Sequence, residues 1–222
     1  MHTATRLAAA ALPKIRALNG GAHLAFYGLY ATVNTAYLRE LGGQTILAGE
    51  VEPSLVRLYQ RLARSADTQG DDGVTLTKLR FRVPARSGLP DLSRYATLNM
   101  GDGRMKTVGY TEATRGCKHL CRHCPVVPVY QGRFFVVERD VVLADVRQQV
   151  DAGAQHVTFG DPDFFNGPGH AMRLAEAFHA EFPNVTYDAT IKVEHLLAHR
   201  DKLNRLVETG CLFVTTAVEE VD

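Results

Sequence analysis

The stretch ERDVVLADVRQQVDAGAQHVTFGD, residues 138–161, predicts a helix followed by a short strand. Leu143, Val146 and Val150 recur at the i, i+3, i+7 spacing of one helical face, which predicts that this face is buried. The next segment, HVTFGD, has the length and composition of a strand. A helix that leads into a strand is the repeating unit of a parallel α/β sheet, so this stretch predicts that class of fold.

The same alternation continues on both sides of this stretch. Upstream, TVGYTEA is a predicted strand. Downstream, the helix HAMRLAEAFHAEF, the strand VTYDATIKV, the helix EHLLAHRDKLNRLVETG and the strand LFVTTAV follow in turn. Residues 107–222 therefore predict a barrel or an open parallel sheet that is cut off before it closes.

Residues 1–65 show the order helix, strand, helix, strand, helix. The predicted strands are HLAFYG and QTILAGE, and Pro13 is expected to split or kink the first helix. Because two strands are too few for a parallel sheet that is covered on both faces, this region predicts half of a doubly wound domain. Residues 66–106 are rich in Gly, Pro and Asp, contain one possible strand (VTLTKLRFRV) and are predicted to be a linker.

The bulk composition is that of a globular protein. Of the 222 residues 45% are hydrophobic and 22% are charged, and the net charge is +1. This balance argues against a general nucleic-acid or membrane-surface binder. No apolar run approaches the roughly 18 residues of a membrane helix, and the amino-terminal apolar patch is too short and too charged for a signal peptide. We therefore expect a cytoplasmic protein without nucleic-acid or membrane partners.

Three of the four cysteines lie in GCKHLCRHCP, residues 116–125. Cys117, Cys121 and Cys124 follow a predicted strand, and loops at the carboxyl ends of parallel strands are where such folds place their active sites. Three thiolates at this spacing repel one another unless a cation neutralises them, which indicates a metal site. Their crowding, and a reducing compartment, argue against disulfides.

Two kinds of metal centre fit this loop. Zinc could bind the three cysteines together with His119 or His123 as the fourth ligand. A four-iron cluster could instead bind the three cysteines and keep one iron open for a ligand or substrate. Cys211 follows Gly210 at the start of a predicted buried strand and is expected to be a core residue, not a ligand.

The CKHLCRHC loop after a strand, together with the segments that follow it, resembles the radical S-adenosylmethionine (radical SAM) enzymes. The resemblance implies that Cys117, Cys121 and Cys124 hold a 4Fe–4S cluster whose open iron binds the amino and carboxylate groups of S-adenosylmethionine. It also implies reductive cleavage of a C–S bond, usually with release of a 5′-deoxyadenosyl radical. The implied partners are an electron donor such as flavodoxin or ferredoxin, and an unknown small-molecule or peptide substrate.

The resemblance extends to further cofactor contacts. HVTFGDPDFF resembles the second barrel strand, so Asp161 or Asp163 would contact the methionine amino group. Lys192 and Glu219 fall where related enzymes contact the cofactor. A structural role is equally compatible with these residues: Asp163 as a turn- or helix-capping residue, and Lys192 or Glu219 in a surface ion pair. His123 replaces the aromatic residue that usually lies beside the adenine. Glu219 is followed by a second glutamate, where many relatives have serine.

The amino-terminal region resembles the last two strand–loop–helix units of a cobalamin-binding domain. Gly28, Gly49 and Glu50 would then face the cobalamin tail, because glycine lets a ligand approach the backbone closely. The Asp-x-His-x-x-Gly segment that usually supplies the lower cobalt ligand is absent, and His23 does not lie in that pattern. Cobalamin is therefore a conditional cofactor in this interpretation, and a cobalamin carrier without radical function is the least favoured alternative.

GYTEATRGCKHLCRHCPVVPVYQGRF and FGDPDFFNGPGHA are similar to the radical SAM branch named for a Cys- or selenocysteine-containing Ala-Glu-Pro tail (CUAEP/CCAEP). The fold expected from this resemblance has three parts. They are the carboxyl-terminal half of a doubly wound, Rossmann-like cobalamin-binding-type domain at residues 1–65, a linker at 66–106, and the first four βα units of a partial (β/α)6 barrel at 107–222. Both ends are expected to be truncated, which makes an inactive gene fragment one alternative. The other alternative, from the metal chemistry of the cysteine loop, is a zinc-stabilised binding module without catalysis.

Overall fold

The structure is a computed structural model that describes residues 3–64 and 72–217. The chain forms two compact units, and each has its own sheet. The first unit comprises residues Met1–Leu79 and His119–Gly132, and the second comprises Arg80–Lys118 and Arg133–Asp222.

The first unit contains a three-stranded parallel sheet in the order β1–β2–β3. Its strands are β1 (Ala25–Tyr27), β2 (Thr45–Gly49) and β3 (Gly73–Thr75). Its helices are α1 (Thr3–Leu18), α2 (Leu29–Val33), α3 (Thr35–Glu40), α4 (Glu52–Ala63) and α5 (Val127–Tyr130). The predicted alternation of helices and strands is confirmed, with a third strand that the sequence did not indicate as part of this sheet.

The central strand β2 forms the core of the first unit. Ile46, Leu47 and Ala48 are buried in succession, as expected for a strand covered on both faces. Ala31 of α2 and Leu38 of α3 pack with Ile46. The predicted single helix over TVNTAYLREL is two short helices that meet at Asn34, and Pro13 lies inside α1 without ending it.

The second unit is built on a five-stranded sheet in the order β10–β9–β8–β5–β4, which curls into a half-barrel. Its strands are β4 (Ala96–Asn99), β5 (Met105–Thr111), β8 (His156–Phe159), β9 (Thr186–Thr190) and β10 (Cys211–Thr215). Strands β5, β8, β9 and β10 are parallel, and β4 is antiparallel to β5 at the edge. The predicted parallel α/β architecture is thus confirmed for this unit.

Helices follow the parallel strands of the second unit. They are α6 (Arg139–Asp151), α7 (Pro168–Glu181), α8 (Val193–Ala198) and α9 (Arg200–Glu208). A short antiparallel pair, β6 (Thr114–Gly116) with β7 (Phe134–Val136), lies between β5 and α6 in the chain. The helix predicted over residues 194–210 is divided into α8 and α9 at His199, whose backbone leaves the helical region.

The core of the second unit lies between the sheet and its helices. Leu143 and Val146 of α6 are buried and Val150 is partly buried, so the predicted apolar stripe is confirmed. Phe159 and Tyr187 contact Phe178 edge to face, with ring centroids 6.0 and 5.4 Å away. Fully burying a side chain of this size stabilises the fold by roughly 1.5–3 kcal/mol. These aromatic contacts therefore hold α7 against the sheet.

The segment predicted as a linker, residues 66–106, carries more regular structure than its composition indicated. Residues 66–71 lie outside the described part of the chain. The expected strand over VTLTKLRFRV is limited to β3, whereas β4 forms an unpredicted edge strand. Arg86 binds the buried Asp145 of α6 with both ends of its guanidinium, Nε to Oδ1 at 2.6 Å and Nη2 to Oδ2 at 2.8 Å. This bidentate pair attaches the segment to the second unit.

Candidate functional site

The cysteine loop begins directly after β6. Gly116 ends this strand with a φ of 78°, in the left-handed region that favours glycine. The thiol of Cys117, the next residue, is buried and donates to Oδ1 of Asn166 at 3.5 Å. Cys117 and Lys118 belong to the second unit. The predicted strand before the loop corresponds to β5, and the short strand β6 lies between β5 and the loop in the chain. Strand β6 pairs with β7 on the far side of the loop in the chain.

Cys121 and Cys124 belong to the residues of the first unit, where they share a turn. The backbone N–H of Cys124 donates to the carbonyl oxygen of Cys121 at 3.1 Å, and both side chains are partly exposed. Helix α5 begins three residues later. His123 and Arg122 are exposed. None of the four cysteines forms a disulfide, so the three loop cysteines are chemically able to act as metal ligands.

Asn166 is a polar residue of this region that the sequence interpretation missed. It is buried and ends the 3-10 turn Phe164–Asn166 that follows β8. Its Oδ1 accepts the backbone N–H of Lys118 at 3.1 Å, and its Nδ2 donates to the carbonyl oxygen of Gly116 at 3.3 Å. The only sequence signal was an asparagine in FFNGP, and about fifty residues of chain separate it from its partners.

Asp161, a predicted contact of the methionine amino group, lies just beyond the carboxyl end of β8. Its carboxylate accepts the N–H of Ala113 at 2.9 Å and the hydroxyl of Thr114 at 2.5 Å, and it is 2% exposed. Burial raises the pKa of Asp161 to about 6, against the lowering effect of these hydrogen bonds. Each carboxylate oxygen has two acceptor positions, so these bonds leave capacity for a further donor.

Asp163, the second predicted amino-group contact, is completely buried. Its Oδ1 accepts the N–H of Phe165 at 3.1 Å and so caps the 3-10 turn. Its Oδ2 lies 2.6 Å from Nδ1 of His195, a buried residue of α8. This arrangement gives Asp163 the turn-capping role that the sequence also allowed, and it adds a histidine partner that the sequence did not suggest.

The backbone before Asp161 is also constrained. A Cβ added to Gly160 would overlap the ring of Tyr110, which belongs to the neighbouring strand β5. The hydroxyl of Tyr110 donates to Glu112 at 3.3 Å. Burial raises the pKa of this phenol well above its ordinary value. A side chain at position 160 would therefore require the half-exposed ring of Tyr110 to move.

The remaining predicted cofactor contacts of the barrel are more exposed or lie outside the described residues. Lys192 precedes α8, and its Nζ lies 3.3 Å from Oε2 of Glu194. This ion pair is partly exposed, and the predicted cofactor role of Lys192 stays a prediction. Glu219 lies outside the described part of the chain, so its predicted role stays a prediction.

The predicted cobalamin-facing residues lie at strand ends of the first unit. Gly28 follows β1 with a φ of 104°, and a Cβ there would meet open space. Gly49 ends β2 with a φ of 76°, and a Cβ there would overlap the carbonyl oxygen of Thr75. Glu50 is fully buried and accepts the hydroxyl of Tyr130 at 3.1 Å. Thus Gly28 leaves room for a neighbour, whereas Gly49 and Glu50 serve the packing of the unit.

Cys211, the fourth cysteine, opens β10 and is partly buried. Its thiol donates to the carbonyl oxygen of Phe213 at 3.4 Å. Burial, with the nearby charge of Asp188, raises the pKa of Cys211 to about 11. A thiol with such a pKa is a poor nucleophile at neutral pH.

A cavity of about 640 Å³ occurs elsewhere in the second unit. It lies beside the β4 edge and is lined mainly by apolar side chains, among them Leu89, Leu92, Tyr95 and Val108. None of the predicted site residues lines it. This cavity therefore provides no support for the cysteine-centred interpretation.

The chain shares its class of fold with known structures. No protein-family model matches the chain, and no curated protein matches it. Solved structures match it over 96% of its length, with a mixed α/β fold and a half-barrel sheet.

Two of these structures are of TsrM, a radical S-adenosylmethionine methyltransferase from Kitasatospora setae. The one with tryptophan and a SAM analogue bound has a TM-score of 0.74 at 16% identity. The one with cobalamin and a 4Fe–4S cluster bound has a TM-score of 0.75 at 17% identity. The chain spans less than half of those proteins, 44% and 46% of their lengths. At this identity the similarity establishes the fold.

In the part of the chain that the structure describes, no helix has the length and hydrophobicity needed to cross a membrane.

Proposed function

We propose that this chain belongs to a radical SAM protein in which Cys117, Cys121 and Cys124 hold a 4Fe–4S cluster. The observation that carries the proposal is the Cys-x3-Cys-x2-Cys spacing of three cysteines that form no disulfide, in a chain that shares its fold with TsrM. Three thiols alone suit a cluster with one open iron, whereas a structural zinc site would also need His119 or His123 as its fourth ligand.

When bound and reduced, such a cluster supplies one electron to the sulfonium of S-adenosylmethionine and so starts radical chemistry. The protein residues would hold and shield the cofactors. Lys118 and Arg122, both exposed, would offset the negative charge of the thiolates. His123 would lie against the adenine, and Asp161 or Asp163 would accept a hydrogen bond from the methionine amino group. The substrate would be a small molecule or peptide, and the reductant a flavodoxin- or ferredoxin-type protein.

Asp161 and Asp163 both remain proposed contacts of the amino group, because both are buried and each of their carboxylate oxygens has one protein partner. The two oxygens of Asp163 are engaged by Phe165 and His195 inside the fold, and this side chain is fully buried. Asp161 accepts two bonds from the β5–β6 connection. Lys192 and Glu219 remain proposed cofactor contacts on the family resemblance alone.

The first unit would bind cobalamin at the carboxyl ends of its strands. The open space beside Gly28 supports close approach of a ligand to the backbone there. Gly49 and Glu50 would contribute only the shape of the neighbouring strand end. Titration of the reduced chain with cobalamin, followed by its visible spectrum, tests this part. An unchanged spectrum would remove cobalamin from the proposal and leave the cluster part intact.

Anaerobic reconstitution with iron and sulfide tests the cluster. We expect a brown protein with about four irons per chain, which is lost in Cys121→Ala and retained in the matched control Cys211→Ala. Colourless protein that holds one zinc tightly would contradict the proposal and favour a zinc-stabilised binding module.

Reductive cleavage of S-adenosylmethionine is a separate test. The reconstituted and reduced chain is expected to release 5′-deoxyadenosine or a methyl-transfer product, and Cys121→Ala is expected to release neither. If a chain with a full cluster never cleaves S-adenosylmethionine, the assignment of activity to these 222 residues fails, while the assignment of the cluster stands.

A further inference from the structure

We propose that Asn166 is a positioning residue that fixes the first cysteine of the loop before any metal binds. The side-chain amide contacts three consecutive residues. It donates to the carbonyl of Gly116, accepts the N–H of Lys118, and accepts the thiol of Cys117 between them. One buried side chain thus holds the backbone on both sides of Cys117.

The orientation of this amide follows from its backbone partners. Only the oxygen can accept the Lys118 N–H at 3.1 Å, and only the nitrogen can donate to the Gly116 carbonyl at 3.3 Å. Loss of the thiol proton on metal binding would remove the Cys117 contact at 3.5 Å and leave the two backbone bonds in place. The function of Asn166 is therefore the shape of the loop, independent of the protonation of the thiol.

Asn166 is itself held in place by a second layer of buried groups. Its backbone N–H donates to the carbonyl of Asp163 at 3.0 Å, and Asp163 caps the same turn through Phe165. His195 lies 2.6 Å from the other carboxylate oxygen of Asp163. The chain of contacts runs from α8 through the 3-10 turn to the cysteine loop, and all of it lies within the second unit.

The test uses the chain without metal and measures the alkylation rate of each cysteine by peptide mass spectrometry. In Asn166→Ala we expect Cys117 to react about tenfold faster, the factor that corresponds to losing the net contribution of an ordinary hydrogen bond. Cys211, partly buried elsewhere in the same unit, reports on general loosening. Asn99→Ala is the matched control, because Asn99 also accepts a backbone N–H of its own loop, that of Gly101 at 2.9 Å.

A selective increase at Cys117 supports the proposal. An unchanged rate at Cys117 overturns it, and so does an equal increase at all four cysteines, because the residue would then serve the fold as a whole. Asn166→Asp provides a graded comparison, since it keeps the acceptor for Lys118 and loses the donor to Gly116. We expect an intermediate increase at Cys117 in that variant.

A second measurement rests on the proposed function. In reconstituted protein, a chelator is expected to remove iron about tenfold faster from Asn166→Ala than from Asn99→Ala. Equal rates of iron removal from the two variants would show that Asn166 does not position Cys117 for the cluster. If the unsubstituted chain takes up no iron at all, the proposed function fails, and the alkylation rates alone decide the role of Asn166.

Discussion

Two histidine–aspartate pairs lie in the second unit, and they are used differently. His156 opens β8, and its Nε2 lies 2.9 Å from Oδ1 of Asp188 on β9. His195, on α8, lies 2.6 Å from Asp163, beyond the carboxyl end of β8. All four side chains are buried.

The difference is in the second contacts of each pair. Nδ1 of His156 lies 2.7 Å from the hydroxyl of Thr186, and Asp188 also accepts the hydroxyl of Thr158 at 2.6 Å. These partners all belong to β8 and β9, so the pair fixes two strands against each other. The second oxygen of Asp163 instead binds the turn that carries Asn166. The same chemical pair therefore stabilises the sheet in one place and shapes a loop in the other.

The largest effect is expected from breaking the pair within the sheet. Asp188→Ala removes the acceptor of the buried His156 and of the partly buried Thr158. At about 1–3 kcal/mol for each group left without its partner, we expect the free energy of unfolding to fall by roughly 2–6 kcal/mol. Denaturant unfolding measures it. The alkylation rate of Cys117 in the folded variant is expected to stay unchanged. Asp151→Ala, at an exposed helix end, is the control. A loss below about 1 kcal/mol would show that Asp188 does not stabilise the strands.

A pH titration of stability tests the buried carboxyl group of Asp161, which is bonded to Ala113 and Thr114 instead of to a histidine. Its pKa of about 6 lies above the ordinary 3.8, so over that interval the folded state retains a proton that the unfolded state has lost. Stability contributed by this group therefore falls as the pH rises from about 4 to 6. Relative to the unsubstituted chain, Asp161→Asn is expected to gain on the order of 3 kcal/mol between pH 4 and 7. Parallel stability profiles in urea would contradict the raised pKa.

Breaking the loop-shaping pair is expected to have a smaller effect on stability and a local effect on the site. His195→Ala leaves one oxygen of Asp163 buried without its histidine, which costs about 2 kcal/mol. Alkylation of Cys117 is expected to rise, though less than in Asn166→Ala. His179→Ala, a partly buried histidine of α7, serves as the matched control. If Cys117 is alkylated at the same rate in His195→Ala and in His179→Ala, the pair of His195 with Asp163 does not shape the cysteine loop, and the contrast between the two pairs fails.

The smallest effect on stability is expected at Lys192, which precedes the helix that carries His195. Its pair with Glu194 is partly exposed, so Lys192→Ala should change the free energy of unfolding by less than about 0.5 kcal/mol. Affinity of the reconstituted protein for S-adenosylmethionine is expected to fall about tenfold, the value of one charged contact. Lys202→Ala, which removes the exposed pair with Asp201, is the control. Equal affinities in the two variants would leave Lys192 with a structural role only.

Local patterns predicted much of the fold. The stripe of Leu143, Val146 and Val150 specified α6, and the apolar run around Ile46 specified β2, because both encode their burial within a few residues. The break at His199 was missed because apolar residues continue at helical spacing on both sides of it. Strands β3, β6 and β7 have only three residues each, too few for a periodic pattern.

The candidate site was predictable only where its chemistry lies in one short segment. The spacing of Cys117, Cys121 and Cys124 alone identifies them as candidate metal ligands, without knowledge of any contact in the fold. Asn166 and His195 act through partners that the fold brings from about fifty and thirty residues away. Polar residues of these types are common in turns and helices, so a single sequence could not distinguish them from their neighbours.

The contact between Tyr110 and Gly160 has an evolutionary consequence. Since a side chain at position 160 would occupy the space of the phenol ring, the two positions are expected to covary in related sequences. A relative with alanine or serine at 160 should carry a smaller residue at 110, and glycine should accompany the aromatic. A substitution at Gly160 would therefore report first on the position of the Tyr110 ring, and only through that ring on the nearby site.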